Sequence, residues 1–577
     1  MQKHIVCFPE FAREQEVAEN QTVLEAMIAA GIRVDAPCGG RGSCGKCTVE
    51  LRRAGTSGWE RVRACQTRVD ADLEVRVPTG ADALRVLTQG AQRAEAAWTP
   101  RVRAVRLDAA QLLAGEDCSV WARFSQALEA ATCASGWRCT PSLVRRLVEM
   151  LRSKPGELLA VAGEGEVLDI ADSAPAVCMA AFDLGTTSIA GYLLDVQQQR
   201  CVATVGEINP QIQFGADVIS RIDYAMEHGT EALSSCVREA LNRLTGRLCE
   251  RAGIDRAQVY AASLVGNTGM HHLFLNIPPD TLARAPYLPA MEEGLRLRAR
   301  DYGLEMHPNA ELIVLPVIAG YVGADTVACL LSGNWLERET RTLMVDIGTN
   351  GELVMGNRQR KVACSTAAGP AFEGARIQCG MRGVDGAVDR VWLEDGCIRW
   401  HVIGEGEAKG LCGSGLVDLI AVLLKTGAID ESGRLAEGEG FRLGDTQVVL
   451  TQRDVREVQL AKAAISAGIQ LMAEKLDMAL TDIEEVDIAG AFGNYLNADS
   501  ACDIGLIPDV LRTRIRKVGN AAGEGAKLAL QYSGCWQDAR RLAEETEFLE
   551  LASIPVFQDT FVDALDFPDM EVDGDEL

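Results

Sequence analysis

Apolar and polar positions alternate with period two at Cys47-Thr-Val-Glu-Leu51 and Leu73-Glu-Val-Arg-Val77, which predicts two half-buried strands. His4-Ile-Val-Cys-Phe8 predicts a first strand ahead of them. Between lies Thr22-Val-Leu-Glu-Ala-Met-Ile-Ala-Ala-Gly31, with helical spacing, Thr22 as N-cap and Gly31 as the C′ residue. Residues 1–78 therefore read as a compact β-rich unit, closed by Pro78-Thr-Gly80. Residues 79–98 are rich in Ala, Gln and Arg and read as a linker. Residues 99–176 predict a small middle domain, with a helical patch at Ser142–Arg152 and a strand from Glu157. From residue 177 to 577 apolar strands ending in glycine turns alternate with helices, the pattern of α/β architecture.

The large region repeats itself. Ala180-Ala-Phe-Asp-Leu-Gly-Thr-Thr-Ser and Leu343-Met-Val-Asp-Ile-Gly-Thr-Asn-Gly are each an apolar strand, Asp, an apolar residue, Gly-Thr, then a second strand. Two halves, each with an Asp-x-Gly-Thr hairpin, predict an internal duplication facing a cleft.

Composition narrows the partners. The 577 residues carry a net charge of −25, which disfavours nucleic acid and anionic membranes. The first residues lack the long apolar run of a secretory signal, and no apolar run reaches the ~18 residues of a membrane span. The expected setting is the cytoplasm, where most of the 19 cysteines stay reduced and pack as small hydrophobes.

Four cysteines stand apart. Cys38, Cys44, Cys47 and Cys65 are separated by five, two and seventeen residues, and the first three share a glycine-rich loop. Four soft thiolates in a loop whose backbone can approach closely suit a [2Fe–2S] cluster. Zinc is the alternative, but the second tight pair that a structural zinc site uses is missing. The same loop nearly spells a P-loop, Gly40-Arg-Gly-Ser-Cys-Gly-Lys-Cys47. Cys47 replaces the hydroxyl that would bind magnesium, and a strand follows in place of a helix, so nucleotide binding is not expected here.

The Asp-x-Gly-Thr turns present backbone N–H groups and hydroxyls to phosphate oxygens, and an aspartate at a strand end can hold hydrated Mg2+ or orient a water. Two further glycine turns, Gly410-Leu-Cys-Gly-Ser-Gly415 and Ile488-Ala-Gly-Ala-Phe-Gly493, complete a nucleotide-binding set. On these motifs the region from 177 resembles the actin, sugar-kinase and heat-shock-chaperone ATPases (ASKHA). The resemblance implies a phosphate-1 turn at Asp183, Gly185, Thr186 and Thr187, and a phosphate-2 turn at Asp346, Gly348, Thr349 and Asn350. It places Gly413, Ser414, Gly415, Gly490 and Gly493 around the nucleoside.

A ferredoxin-like unit fused to such an ATPase is similar to the reductive activators of corrinoid enzymes. Ile208-Asn-Pro-Gln-Ile-Gln-Phe-Gly-Ala-Asp-Val-Ile-Ser-Arg221, Val265-Gly-Asn-Thr-Gly-Met-His-His272 and Ala367-Ala-Gly-Pro-Ala-Phe-Glu-Gly-Ala375 carry the likeness. The implied fold is multidomain α/β: a β-grasp [2Fe–2S] domain, a small middle domain and a duplicated actin-like ATPase. The implied activity is ATP-driven reduction of an inactive Co(II) corrinoid to Co(I). A corrinoid protein of a methyltransferase system is the acceptor, and an upstream low-potential protein is the donor. A homodimer is also implied. Alternatives are an ATP-driven donor to another low-potential enzyme, such as a dehydratase, and an ASKHA sugar kinase or scaffold with an accessory cluster.

Other residues carry two readings each. His271 and His272 are possible metal ligands, though the expected reading has one packed and the other exposed. Ser365, or Thr366 beside it, could offer a hydroxyl to cobalt, or be an ordinary strand-end residue. Glu373 could line the cleft or face solvent.

Overall fold

The computed structural model describes residues 3–32, 40, 42, 47–54, 56, 58–77, 89–90, 98–114, 118–153, 156–171, 175–348, 350–374, 376–436, 438 and 440–569. Cys38, Cys44, Thr349 and most of the linker at 79–98 lie outside the described residues.

The N-terminal unit is a five-stranded mixed sheet. Its strands are β1 (Lys3–Phe8), β2 (Arg13–Ala18), β3 (Thr48–Arg53), β4 (Glu60–Arg63) and β5 (Leu73–Arg76), in the order β2-β1-β5-β3-β4. Period-two alternation puts Val49, Leu51, Leu73 and Val75 on one face, packed against Val23, Ala26 and Met27 of the helix Val23–Ala29. Thr22 and Glu25 close that helix start with a capping box. Gly31 takes the left-handed conformation just past its end, at φ +66°.

The next unit is an antiparallel sheet of β6 (Arg103–Asp108), β7 (Glu157–Ala162) and β8 (Val167–Ala171). The helix Pro141–Arg152 lays Leu143, Leu147 and Leu151, one turn apart, into its core.

Two six-stranded sheets follow. The first is built from β9 (Cys178–Leu184), β10 (Ser188–Asp195), β11 (Arg200–Ile208), β12 (Val259–Gly266), β13 (Leu295–Arg298) and β14 (Glu311–Val314), in the order β11-β10-β9-β12-β14-β13. The second opens with β15 (Thr342–Ile347), β16 (Gly351–Gly356) and β17 (Lys361–Thr366). Next come the small strands β18 (Ala387–Glu394), β19 (Cys397–Val402), β20 (Gly410–Leu411), β21 (Gly440–Arg442) and β22 (Val449–Thr451). β23 (Glu485–Ala489), β24 (Ile515–Gly519) and β25 (Thr546–Phe548) then complete the second large sheet, in the order β24-β23-β15-β16-β17-β25.

The two sheets share one plan. In each, a three-stranded antiparallel meander meets parallel strands on the flank of its first strand, β9 against β12 and β15 against β23. Both Asp-x-Gly-Thr turns are thereby carried to the same end of equivalent strands. The helices Ala324–Ser332 and Ala521–Gln531 cross between the halves, so closely that a Cβ on Gly525 would stand 2.0 Å from the Ala328 carbonyl oxygen. One apolar cluster continues from Met179 and Val265 of the first half to Met344 and Ala489 of the second. Among the described residues no helix is long and apolar enough to cross a membrane.

Candidate nucleotide cleft and thiol loop

A cleft of about 460 Å³ opens between the two sheets. Asp183, Gly185, Thr186 and Thr187 line it from the first hairpin, and Asp346, Gly348 and Asn350 from the second. Gly413, Ser414 and Gly490 line its far end. Gly415 and Gly493 are not lining residues. A Cβ on Gly415 would stand 2.2 Å from the Val388 carbonyl oxygen, and one on Gly493 2.4 Å from Ile488. These two glycines let helices lie against strands.

The first turn is held from beneath. Arg221, fully buried, donates to the carbonyl oxygens of Thr186 at 2.6 Å and Gly215 at 2.9 Å. Asn209 donates to the Gly185 carbonyl at 2.8 Å. Asn267 caps the helix Thr268–Leu275 and donates to the Thr186 hydroxyl at 2.8 Å. The Ile208–Arg221 segment is thus a cradle for a phosphate-type turn. The second half reaches over as well: Asn520, N-cap of Ala521–Gln531, donates to Asp183 Oδ2 at 2.8 Å.

Carboxylates crowd the floor. Burial lifts Asp183 from 3.8 to about 6 against the opposing Asn520 hydrogen bond. Burial and the charge of Asp183 lift Asp346 to about 7. Asp325, at the start of Ala324–Ser332, is raised to about 7 chiefly by burial, then by Asp346 and Asp183. Glu352 is raised by burial and by Asp325 and Asp346. Such a floor is unfavourable when empty and ionised, and it becomes favourable once a cation arrives. Among the described residues no three His, Cys, Asp or Glu side chains form a ready metal cage.

At the far end, Gly490 has φ +84°, and a Cβ there would stand 2.4 Å from Asp346 Oδ1. A Cβ on Gly413 would stand 2.0 Å from the Phe372 carbonyl oxygen. The rings of Phe372 and Phe492 stack at 5.1 Å and both face the cleft. The Ser414 hydroxyl donates to the Asp389 carbonyl at 2.8 Å, and the Asp389 carboxylate meets His401 Nδ1 at 2.6 Å.

Another hydrogen bond spans the cleft. The Thr187 hydroxyl donates to Glu373 Oε2 at 2.9 Å, joining the first hairpin to the 367–374 loop of the second half. Ser365 is not a lining residue. It is half-buried opposite Glu352 on β17, and Thr366 donates to the Gly351 carbonyl at 3.1 Å. The expected exposure of one histidine is not found: His271 and His272 are both buried. His272 contacts the Thr268 carbonyl and accepts from the Ala290 N–H at 2.9 Å. The His271 ring has no hydrogen-bond partner among the described residues, and burial pushes it down to about 3, so it stays neutral.

Asp325, Glu352, Asn267 and Asn520 were not singled out from sequence. Asn520 had a detectable signal, because Val518-Gly-Asn-Ala-Ala-Gly523 repeats the strand-to-glycine-turn pattern of residues 488–493. Asp325 sits in an ordinary helix start.

In the thiol loop, Cys47 Sγ lies 3.2 Å from Cys65 Sγ, and both residues are buried. Cys47 immediately precedes β3 and Cys65 follows β4, so the β3–β4 pairing brings them together. Gly40 and Gly42 have φ of +85° and +77°. Adjacent buried thiols beside a loop of left-handed glycines fit the thiolate set of an iron–sulfur cluster.

Three family models match along the chain. Residues 10–70 match the model of the 2Fe-2S iron-sulfur cluster binding domain. Residues 178–336 match the RACo middle region, and 340–575 the C-terminal ASKHA domain of RACo. The chain is 34% identical to the corrinoid activation enzyme RamQ of Eubacterium limosum, over 96% of this chain and 98% of RamQ. It is 28% identical to a [Co(II) methylated amine-specific corrinoid protein] reductase of Methanosarcina barkeri, over 59% of this chain and 68% of that one. A solved reductive activator for a corrinoid, iron–sulfur protein superimposes with a TM-score of 0.75 at 31% identity, covering 98% of both chains. Thiol loop, twin phosphate-type turns and end-to-end similarity agree: the chain belongs to the RACo family.

Proposed function

We infer that this protein is an ATP-dependent reductase that activates a corrinoid protein, passing one electron to an inactive Co(II) corrinoid to restore Co(I). The observation that carries this reading is the union in one chain of the paired thiols Cys47 and Cys65 with the cleft floored by Asp183 and Asp346. The activities of the two named relatives support the substrate class.

A [2Fe–2S] cluster on Cys38, Cys44, Cys47 and Cys65 supplies one-electron chemistry when bound. The chain's own residues handle the nucleotide. The Gly185–Thr187 turn and the Gly348–Asn350 turn, Thr349 included, hold phosphates from opposite halves. Asp183 and Asp346 would face the Mg2+ that accompanies them, whose charge would favour their ionised forms. Gly413, Ser414 and Gly490 leave room for the nucleoside, beside the Phe372–Phe492 pair. Phosphate arriving at Thr187 places like charge beside Glu373, so cleft occupancy is linked to the position of the 367–374 loop. Ser365 leads into that loop from outside the cleft, a placement that suits a role toward the corrinoid partner more than toward ATP. A reducing, cytoplasmic setting suits a chain with 19 cysteines.

The energetics are modest. Each ~59 mV of one-electron gap costs tenfold, and ~100 mV costs about 2.3 kcal/mol. A nucleotide that binds one hinge state about fiftyfold better than the other supplies that much. The test is anaerobic. Protein with its cluster reduced is mixed with a Co(II) corrinoid protein, and the Co(I) absorption band is expected with ATP and absent without it. Failure to reduce cobalt across several corrinoid proteins in the presence of ATP overturns the reading. ATP turnover on a polyol would point instead to a kinase.

A further inference from the structure

The chain's charge is unevenly shared. Residues 1–78 hold as many Lys and Arg as Asp and Glu, so the whole net charge of −25 resides in the rest. Within the N-terminal unit the strand register then sorts the charges by face. Val49, Leu51, Leu73 and Val75 point to the helix, so Glu50 and Arg52 of β3 and Glu74 and Arg76 of β5 stand on the outer face. β4 is the edge strand, and its register sets Arg61 opposite Glu50 and Arg63 opposite Thr48, on that same outer face.

On these three strands four guanidinium groups share the outer face with two carboxylates, Glu50 and Glu74, while Glu14 and Glu16 of β2 lie at the far edge of the same face. Arg52 pairs with Glu74, while Arg61 is exposed and has no acidic partner among the described residues. Trp59 lies at the middle of the patch, with Arg76 at 4.1 Å and Arg52 at 4.9 Å from its ring. Trp and Arg together are the residue types most enriched at the energetic centres of protein interfaces. The patch also adjoins the thiols. Arg63 donates to the Gly42 carbonyl of the cysteine loop at 3.4 Å, and Cys65 follows two residues later. The opposite side of the unit is already occupied: Ile28, on the helix, packs against the core of the first large half.

We propose that the outer face of β3, β4 and β5, with Arg52, Arg61, Arg63 and Arg76 around Trp59, docks the protein that delivers electrons, and that this donor is a small acidic iron–sulfur protein. The argument for an acidic partner is charge complementarity. On a strongly acidic molecule a basic face attracts an acidic donor that the net charge repels, and such steering raises association rates 10- to 1,000-fold at low salt. Docking here brings the donor against the loop that carries the thiols and leaves the cleft and the 367–374 loop to ATP and the acceptor. The proposal rests on the reading that the chain carries electrons.

The test uses the full-length, cluster-loaded protein and an acidic bacterial ferredoxin as the probe. Reduction of the cluster by prereduced ferredoxin is followed as loss of visible absorbance in stopped flow. Complex formation with oxidised ferredoxin is measured separately by calorimetry. For the unaltered protein both rate and affinity are expected to fall steeply between 50 and 300 mM salt. Arg61→Glu is expected to lower both about tenfold at low salt. Reduction by methyl viologen radical, a small cationic dye, should not slow. Trp59→Ala should weaken the complex while preserving its salt dependence. If Arg61→Glu fails to load its cluster, Arg76→Gln serves with the same expectations. Ferredoxin binding that is independent of salt and of these substitutions overturns the proposal. So does a variant with unaltered ferredoxin kinetics whose transfer from prereduced cluster to Co(II) corrinoid protein is slowed, because the face would then belong to the acceptor. Absence of any bound cluster in the unaltered protein would instead overturn the electron-carrying reading itself.

Discussion

Replacing Asp346 by Asn should stabilise the nucleotide-free protein at alkaline pH while removing its affinity for ATP. In the folded chain burial and the charge of Asp183 hold the Asp346 carboxyl at about 7, against 3.8 for an ordinary aspartate. Between these values the unfolded chain releases a proton that the folded chain keeps. Stability therefore falls as pH rises through that window, and the loss is complete above about pH 7. At ~1.4 kcal/mol per pH unit over roughly three units, the upper bound is about 4 kcal/mol. Water in the cleft screens part of it, so about 2–4 kcal/mol is expected. Asn keeps the shape beside Gly490 and removes the charge. Thermal unfolding followed by circular dichroism, without nucleotide, should show Asp346→Asn gaining on the unaltered protein from pH 5 to pH 8, by a few degrees at the top of the range. Adding ATP and Mg2+ should reverse the order, because ligand then stabilises only the unaltered protein. A stability difference independent of pH, or a variant less stable than the unaltered protein at pH 8, would refute the reasoning.

Three other substitutions probe separate links. Gly490→Ala sets a Cβ 2.4 Å from Asp346 Oδ1 at φ +84°, so calorimetry should show ATP affinity at least about tenfold weaker with the cluster spectrum intact; unaltered affinity would contradict the placement. Glu373→Gln keeps an acceptor for Thr187 but drops the charge that opposes phosphate. ATP affinity should rise about three- to tenfold, from roughly 1 kcal/mol of relieved repulsion, and the ATP stimulation of cobalt reduction should shrink; an unchanged stimulation ratio would separate the loop from nucleotide binding. Cys47→Ser should abolish the visible absorbance of the cluster and leave ATP affinity within about twofold, and loss of ATP binding would show that the two modules are not independent.

Much of the architecture was legible because it is written in local patterns. The alternation at Thr48–Arg53 and Leu73–Arg76 gives strands with one apolar face, and Thr22 and Glu25 announce a helix start. The twin Asp-x-Gly-Thr segments reveal the duplication, because a hairpin at equivalent strands needs the same local sequence twice. Residues that join the cleft from distant elements were not legible. Asp325 meets Asp183 and Asp346 only once two sheets close on each other, and nothing local marks it; Glu352 faces Asp346 across the β15–β16 hairpin, and Asn520 carries only the weak mark of a strand running into a glycine turn. Glycines were ambiguous for a different reason. Gly490 clears space at the cleft, whereas Gly415 and Gly493 let a helix touch a strand, and in sequence both kinds punctuate a turn. The Ile208–Arg221 stretch was recognised by likeness alone. Its physical reason, a buried guanidinium holding the Thr186 carbonyl, depends on the fold.

The central claim is that one chain carries an electron and uses ATP to push it uphill. It is tested most directly at steady state, by supplying protein and Co(II) corrinoid protein with a reductant poised just above the Co(II)/Co(I) couple and reading the Co(I) fraction optically with and without ATP. The account predicts a Co(I) fraction at the value set by the potential without ATP and well above it with ATP. Equal fractions in the two conditions would contradict the account.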